Sequence, residues 1–203
     1  MARPKKFEER DVVKAAGERF WTTGYCGTSL DDLLDATGLG RGSLYNSFGD
    51  KHGLYLHAFD AYCRDVVGAT AAALEGPDAG AATRLRALLN GLPGAYDSGT
   101  APAPRACFLA KATAEMAARD GEVAARARRA FADLERILVD AVTAAQRTGD
   151  IAATLDPRAS ARHILATMRG IEALAEAGVD QAMLRDAVTS LLTVLMPDSP
   201  TAG

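Results

Sequence analysis

Cysteine is scarce in this 203-residue chain: Cys26, Cys63 and Cys107 are widely spaced and form no Cys-x-x-Cys pair. An odd, scattered set provides neither a disulfide framework nor a thiolate cluster for zinc, and it suits a reducing compartment. The three histidines, His52, His57 and His163, have no metal-ligand spacing, so no metal is implied. A serine-nucleophile motif, a phosphate-binding glycine loop and a carboxylate-histidine helix signature are all missing, which weighs against an enzyme and against a bound cofactor.

No charge of one sign prevails either. Lys plus Arg number 23 and Asp plus Glu 26, a formal charge of -3, so bulk electrostatics announces no polyanionic partner. Arg3, Lys5 and Lys6 form a small acid-free cluster, read either as a phosphate-seeking arm or as a solvated tail. No apolar run is long enough to cross a bilayer, and no charged start followed by an apolar stretch marks a secretory signal. The expectation is a cytoplasmic protein with no membrane partner.

Aromatic residues make up only 6% of the chain, and β-branched residues seldom alternate with polar ones. Strand patterns are therefore rare, and an all-α fold is predicted. Val13, Ala16 and Phe20 recur at helical spacing from about Glu8 to Thr23, where Gly24 ends the run. The segment TSLDDLLDAT, residues 28–37, opens on hydroxyl chemistry suited to free helix amides, with Asp31 and Asp32 complementing the dipole. Gly38-Leu39-Gly40 breaks the pattern, and a short helix follows from Arg41 with Leu44 and Phe48 inward. Gly49 closes it and Asp50 caps the next.

Further helices are predicted over about Lys51–Glu75, Ala81–Tyr96 with an interruption at residues 91–94, Arg105–Ala118, Glu122–Thr148, Pro157–Ala177 and Asp180–Met196. Residues 97–104, DSGTAPAP, read as the clearest loop. The last two helices carry broad apolar stripes, which serve either a core or a helical interface between two copies. Ile164, Met168, Ile171, Leu184, Val188, Leu191, Leu192 and Leu195 are the candidate dimer contacts.

Two short helices with inward leucines, supported by the helix before them, make a helix-turn-helix. Its second helix buries only Leu44 and Phe48 and leaves Arg41, Ser43, Tyr45 and Asn46 directed elsewhere. Those groups match a major groove: guanidinium to guanine, amide to adenine, hydroxyl to base or phosphate. Gly42 permits close approach. The blander alternative is a tight corner that uses Gly, Tyr and Asn only to turn and cap.

The stretch GYCGTSLDDLLDATGLGRGSLYNSFGDKHGLY, residues 24–55, resembles the tetracycline-repressor (TetR) family of bacterial transcription regulators. The likeness covers about the first 60 residues and rests on motifs in order: the Gly-Tyr turn, the Thr-Ser helix start, Arg-Gly-Ser-Leu-Tyr-Asn and Phe-Gly-Asp-Lys. It implies that Thr28 caps its helix and touches phosphate, that Arg41, Gly42, Ser43 and Asn46 face bases, and that Tyr45 and Lys51 hold the DNA backbone. Gly40 stands where such proteins often carry a capping Ser or Thr, Ser47 where they carry His or Tyr, and His52 in place of a frequent acid.

The same resemblance implies a DNA-binding domain over residues 1–53 and a helical ligand-binding and dimerisation domain over 54–203. It implies a homodimer on a pseudo-palindromic operator in double-stranded DNA, released by a small-molecule effector, with repression the commoner outcome. Candidate pocket residues are Tyr62, Tyr96, Cys107, Phe108, Met116, Phe131 and Met168; for each, ordinary core packing is the competing reading. Cys107, beside Arg105 and Lys111, reads either as an ionisable sensor thiol or as a small buried hydrophobe. A DNA-organising protein of the same fold with no effector is the rival function.

Overall fold

The structure, a computed structural model, describes residues 8–96 and 107–197. The described residues form only helices: α1 (Glu9–Thr23), α2 (Leu30–Thr37), α3 (Arg41–Phe48), α4 (Lys51–Leu74), a 3-10 turn (Asp78–Gly80), α5 (Ala81–Ala95), α6 (Phe108–Met116), α7 (Gly121–Arg147), α8 (Pro157–Glu176) and α9 (Gln181–Leu195). The basic cluster Arg3, Lys5 and Lys6, the loop at 97–104, and Arg105 lie outside the described residues. None of the described helices is long and apolar enough to cross a membrane.

Two compact units divide the chain: the described parts of Met1–Val66 with Cys107–Arg128, and those of Val67–Ala106 with Arg129–Gly203. The first unit thus runs past residue 53 and takes in α6 and the start of α7. Its core is aromatic. Phe20 of α1 meets Tyr55 of α4 edge-on at 4.9 Å, and Phe108 of α6 lies edge-on to Tyr55, Phe59 and Tyr62 at 5.8, 5.7 and 5.5 Å. The buried stripe of α1 is Val12, Ala16 and Phe20; Ala16 and Phe20 are buried as predicted, while Val13 is only half-buried and Val12 takes its place.

The second unit packs α5, α8, α9 and the later part of α7 around Leu85, Leu89, Leu138, Val142, Ile164, Ile171, Leu184 and Leu191. All eight candidate dimer contacts are buried within this single chain; the most exposed, Met168 and Leu192, reach only 5%. A side chain consumed by its own core cannot also face a partner, so the stripe is intramolecular. The large apolar residues left outward on α8 and α9 are Leu174, Met183 and Val194, at 37%, 51% and 59% exposure.

Helix ends follow local chemistry. Asp156 and Asp180 cap α8 and α9 by accepting from the Arg158 and Met183 amides, and Pro157 supplies the preset φ of a first helical position. Through residues 91–94 α5 runs unbroken and ends at Ala95. Pro93 lies in its last turn, so the loss of one amide near the end does not break the helix.

Thr28 does not cap α2. Ser29 does: its Oγ accepts from the Asp32 amide at 3.0 Å, while Asp32 Oδ2 accepts from the Ser29 amide at 2.8 Å, a reciprocal box. Thr28 is 1% exposed, its hydroxyl donating to the Gly24 carbonyl at 2.6 Å and lying 2.7 Å from Thr23 Oγ1. Replacement Ser29→Ala is expected to lower stability by about 1 kcal/mol in urea denaturation, the usual worth of a hydroxyl cap.

Candidate nucleic-acid interface

Local contacts set the ends of α2 and α3 and tie both to their neighbours. Gly38 ends α2 in the left-handed region, at φ 67°, and its amide reaches back to the Leu34 carbonyl. Arg19 of α1 donates to Asp32 Oδ1 at 2.6 Å, so one carboxylate ties α1 to α2 while closing the box with Ser29. Hydrogen bonds from the Ser29 side chain and amide, helped by Arg19, hold the Asp32 carboxyl below its ordinary range. At the other end Asp50 caps α4 by accepting from the Gly53 amide at 2.8 Å. A Cβ on Gly53 would lie 1.9 Å from the Phe48 carbonyl oxygen, so only glycine allows α4 to start this close to the end of α3.

α3 is eight residues long and buries Leu44 and Phe48 alone. Arg41, Gly42, Ser43, Tyr45, Asn46 and Ser47 are all exposed, Tyr45 by 47%. Gly40 caps the helix with no side-chain bond, and apart from its chain neighbours and the nearby backbone of α3 nothing lies within 4 Å of the place a Gly42 side chain would occupy. Arg41 lends one guanidinium nitrogen to Asp31 of α2 at 2.8 Å, both side chains remaining well exposed. Lys51 places its ammonium 4.3 Å from the Tyr25 ring centroid. Six of the seven predicted DNA-binding residues therefore lie on α3 or at the start of α4; Thr28 is buried with its hydroxyl engaged internally.

The turn between α1 and α2 is gripped from far along the chain. Glu115 Oε2 accepts from the Tyr25 amide at 2.9 Å and Oε1 from the Cys26 amide at 2.8 Å. One turn earlier on α6, Lys111 donates to the carbonyls of Trp21 and Thr22 at 3.1 and 3.2 Å, satisfying acceptors at the end of α1. His52 Nε2 lies 2.5 Å from Asp120 Oδ2, and Asp120 also accepts from the Glu122 and Val123 amides that open α7. Burial alone would raise the Glu115 carboxyl, but the Cys26 and Tyr25 amides outweigh it and hold the group below its ordinary range.

Ser29 was visible in the sequence as a hydroxyl three residues before an acid. Glu115, Lys111 and Asp120 carry no local signal, since their partners lie about ninety and seventy residues away.

The predicted pocket residues divide between the units. Tyr62, Cys107, Phe108 and Met116 belong to the first, Tyr96, Phe131 and Met168 to the second. Tyr62, Cys107 and Phe108 do meet: the Tyr62 hydroxyl donates to Cys107 Sγ at 3.3 Å. Cys107 is 4% exposed, and the Lys111 ammonium, one of the two cations expected beside its thiol, donates to the Trp21 and Thr22 carbonyls, while the other, Arg105, lies outside the described residues.

Residues 12–58 match the family model described as bacterial regulatory proteins, tetR family, and residues 81–191 match tetracyclin repressor-like, C-terminal domain. The chain belongs to the TetR family. As a member it is a transcriptional regulator with a DNA-binding domain, not an enzyme. It is 30% identical over 196 residues to the uncharacterized HTH-type transcriptional regulator YezE of Bacillus subtilis (strain 168), covering 96% of this chain and 100% of that one. With the HTH-type transcriptional repressor ComR of Escherichia coli (strain K12) it shares 26% identity, over 93% of this chain and 90% of ComR. Among solved structures, CifR complexed with 26bp double-strand operator DNA has the same fold at a TM-score of 0.78 and 23% identity, covering 94% of this chain and 98% of that one.

In this TetR-family chain the Glu115 clamp makes a pH-dependent contribution to stability. A carboxyl depressed on folding stabilises above its unfolded value, 4.5, and loses that contribution as pH falls through the lower folded value. Replacement Glu115→Ala should cost about 2 kcal/mol at neutral pH, from two charge-assisted bonds. In thermal denaturation across the acid range, the gap between the parent and the variant should close below pH 4.5.

Proposed function

We propose that this protein is a cytoplasmic, effector-responsive repressor that binds a pseudo-palindromic operator as a homodimer. The observation that carries the DNA reading is the outward face of α3. Arg41, Ser43, Tyr45 and Asn46 stand exposed on a helix whose only buried side chains are Leu44 and Phe48. Arg41 offers a bidentate donor for guanine and Asn46 an amide for adenine. Gly42 leaves the helix free to approach base edges, and Ser43 serves either base or phosphate. Tyr45 and Lys51 hold phosphates, Lys51 beside the amides that open α4. Thr28 is not among these contacts.

Self-association is supported by what α8 and α9 leave outside. Ala166, Gly170, Ala173 and Leu174 on α8, and Met183, Ser190 and Val194 on α9, are exposed and carry no charge. Two such helices from each copy make an isologous interface and set two recognition helices about one duplex turn apart. The operator complex of CifR and the repressor designation of ComR support repression by DNA occupancy. An effector releases the operator by binding more tightly to a spacing of the two α3 helices that no longer matches successive grooves.

Selection from random duplexes followed by binding assays tests this. Arg41→Ala and Asn46→Ala should each cost about 1–3 kcal/mol and relax preference at one base pair per half-site. Lys51→Ala should weaken all sequences alike and flatten the salt dependence by about one phosphate contact per subunit. If no sequence is enriched from the pool, the proposal fails.

A further inference from the structure

Arg41 stands in an unfavourable place for a cation. It is the first residue of α3, beside the positive end of the helix dipole, and neither a capping side chain at Gly40 nor an acid in the first turn offsets its charge. The charge is answered from the neighbouring helix instead, where Asp31 Oδ1 of α2 accepts from Arg41 Nη2 at 2.8 Å. Asp31 is free for this because Ser29 and Asp32 close the box at the start of α2, and its side chain has no other hydrogen bond or ion pair with a described residue. The pair is open to solvent, Arg41 by 60% and Asp31 by 79%, so it adds little to folding.

Its effect lies in aim. A guanidinium presents parallel pairs of N–H donors on two edges, Nη1 with Nη2 and Nε with Nη2. The contact with Asp31 uses one Nη2 hydrogen. Whichever hydrogen that is, the edge to which the other belongs keeps both donors, and guanine O6 and N7 require one such pair. A long exposed side chain restrained before docking also gives up less rotamer freedom on the base. The carboxylate has a second consequence. Phosphate oxygens, guanine O6 and guanine N7 are all acceptors, so Asp31 lowers affinity for DNA of any sequence while orienting the donor that selects one. Specificity is the difference between those two affinities.

We propose that Asp31 is a positioning residue for base recognition, aiming the Arg41 fork at guanine and weakening the hold of α3 on DNA of other sequence. This rests on the reading of α3 as the recognition helix.

The test measures affinities of the full chain, as parent, Arg41→Ala, Asp31→Ala and the double variant, at one ionic strength. Three duplexes are compared: the one enriched by selection, the same duplex altered at the base pair where Arg41→Ala relaxes preference, and a duplex of random sequence. Asp31→Ala should lower the affinity ratio of the first two about threefold, the upper part of the range for an exposed pair. It should tighten binding to the random duplex about twofold, through loss of one charge near the phosphates. With Arg41 already replaced, the same substitution should leave the ratio unchanged. Damage to the helix alone would weaken binding to all three duplexes together and keep the ratio intact. A ratio unaltered by Asp31→Ala, or uniform weakening, would overturn the proposal. If Arg41→Ala itself relaxes no position, the reading of α3 fails and this proposal with it, so the two failures are told apart.

Discussion

A helix that keeps only Leu44 and Phe48 for the core cannot hold its own position. Two buried side chains and eight residues are too little for independent stability, so the placement of α3 comes from its neighbours. Asp32 carries much of that burden, closing the box at the start of α2 and binding Arg19 of α1 with the same carboxylate. Gly53 lets α4 begin against the end of α3. Glu115 and Lys111 fix the turn that leads into α2. The polar face of α3 is free for recognition because other residues supply its support.

This division of labour explains how a chain of net charge -3 can present a DNA-binding surface. Basic and acidic side chains are equal in number over residues 1–53, eight of each, and the acids have structural work. Asp32 and Asp50 cap helices, and Asp31 steadies Arg41 across the turn. The contacts proposed for Arg41 and Lys51 therefore rest on placement rather than abundance.

Much of the first unit was legible in the sequence because its signals are local. Gly38, Gly40 and Gly49 mark the helix ends, and the inward pair Leu44 and Phe48 follows from spacing alone. The cap was misplaced by one residue because Thr28 and Ser29 are both hydroxyls. The Gly24 carbonyl and Thr23, which engage Thr28, come within reach only once the turn has folded. Apolar periodicity on α8 and α9 located a buried face correctly but could not say whose core it joins. The outward positions Met183 and Val194 interrupt no pattern and so drew no attention. The α6 contacts had no sequence signature at all, since a Lys and a Glu four residues apart on a helix ordinarily pair with each other or with water.

On the function proposed above, the outward face of α3 reads base edges in the major groove, with Arg41 on guanine. Methylation interference on a selected duplex tests it most directly, because methylated guanine N7 blocks the major groove and methylated adenine N3 the minor. Interference is expected at one guanine per half-site with the parent protein, relieved at that guanine in Arg41→Ala. Identical patterns for the parent and the variant, or interference confined to adenine N3, would contradict it.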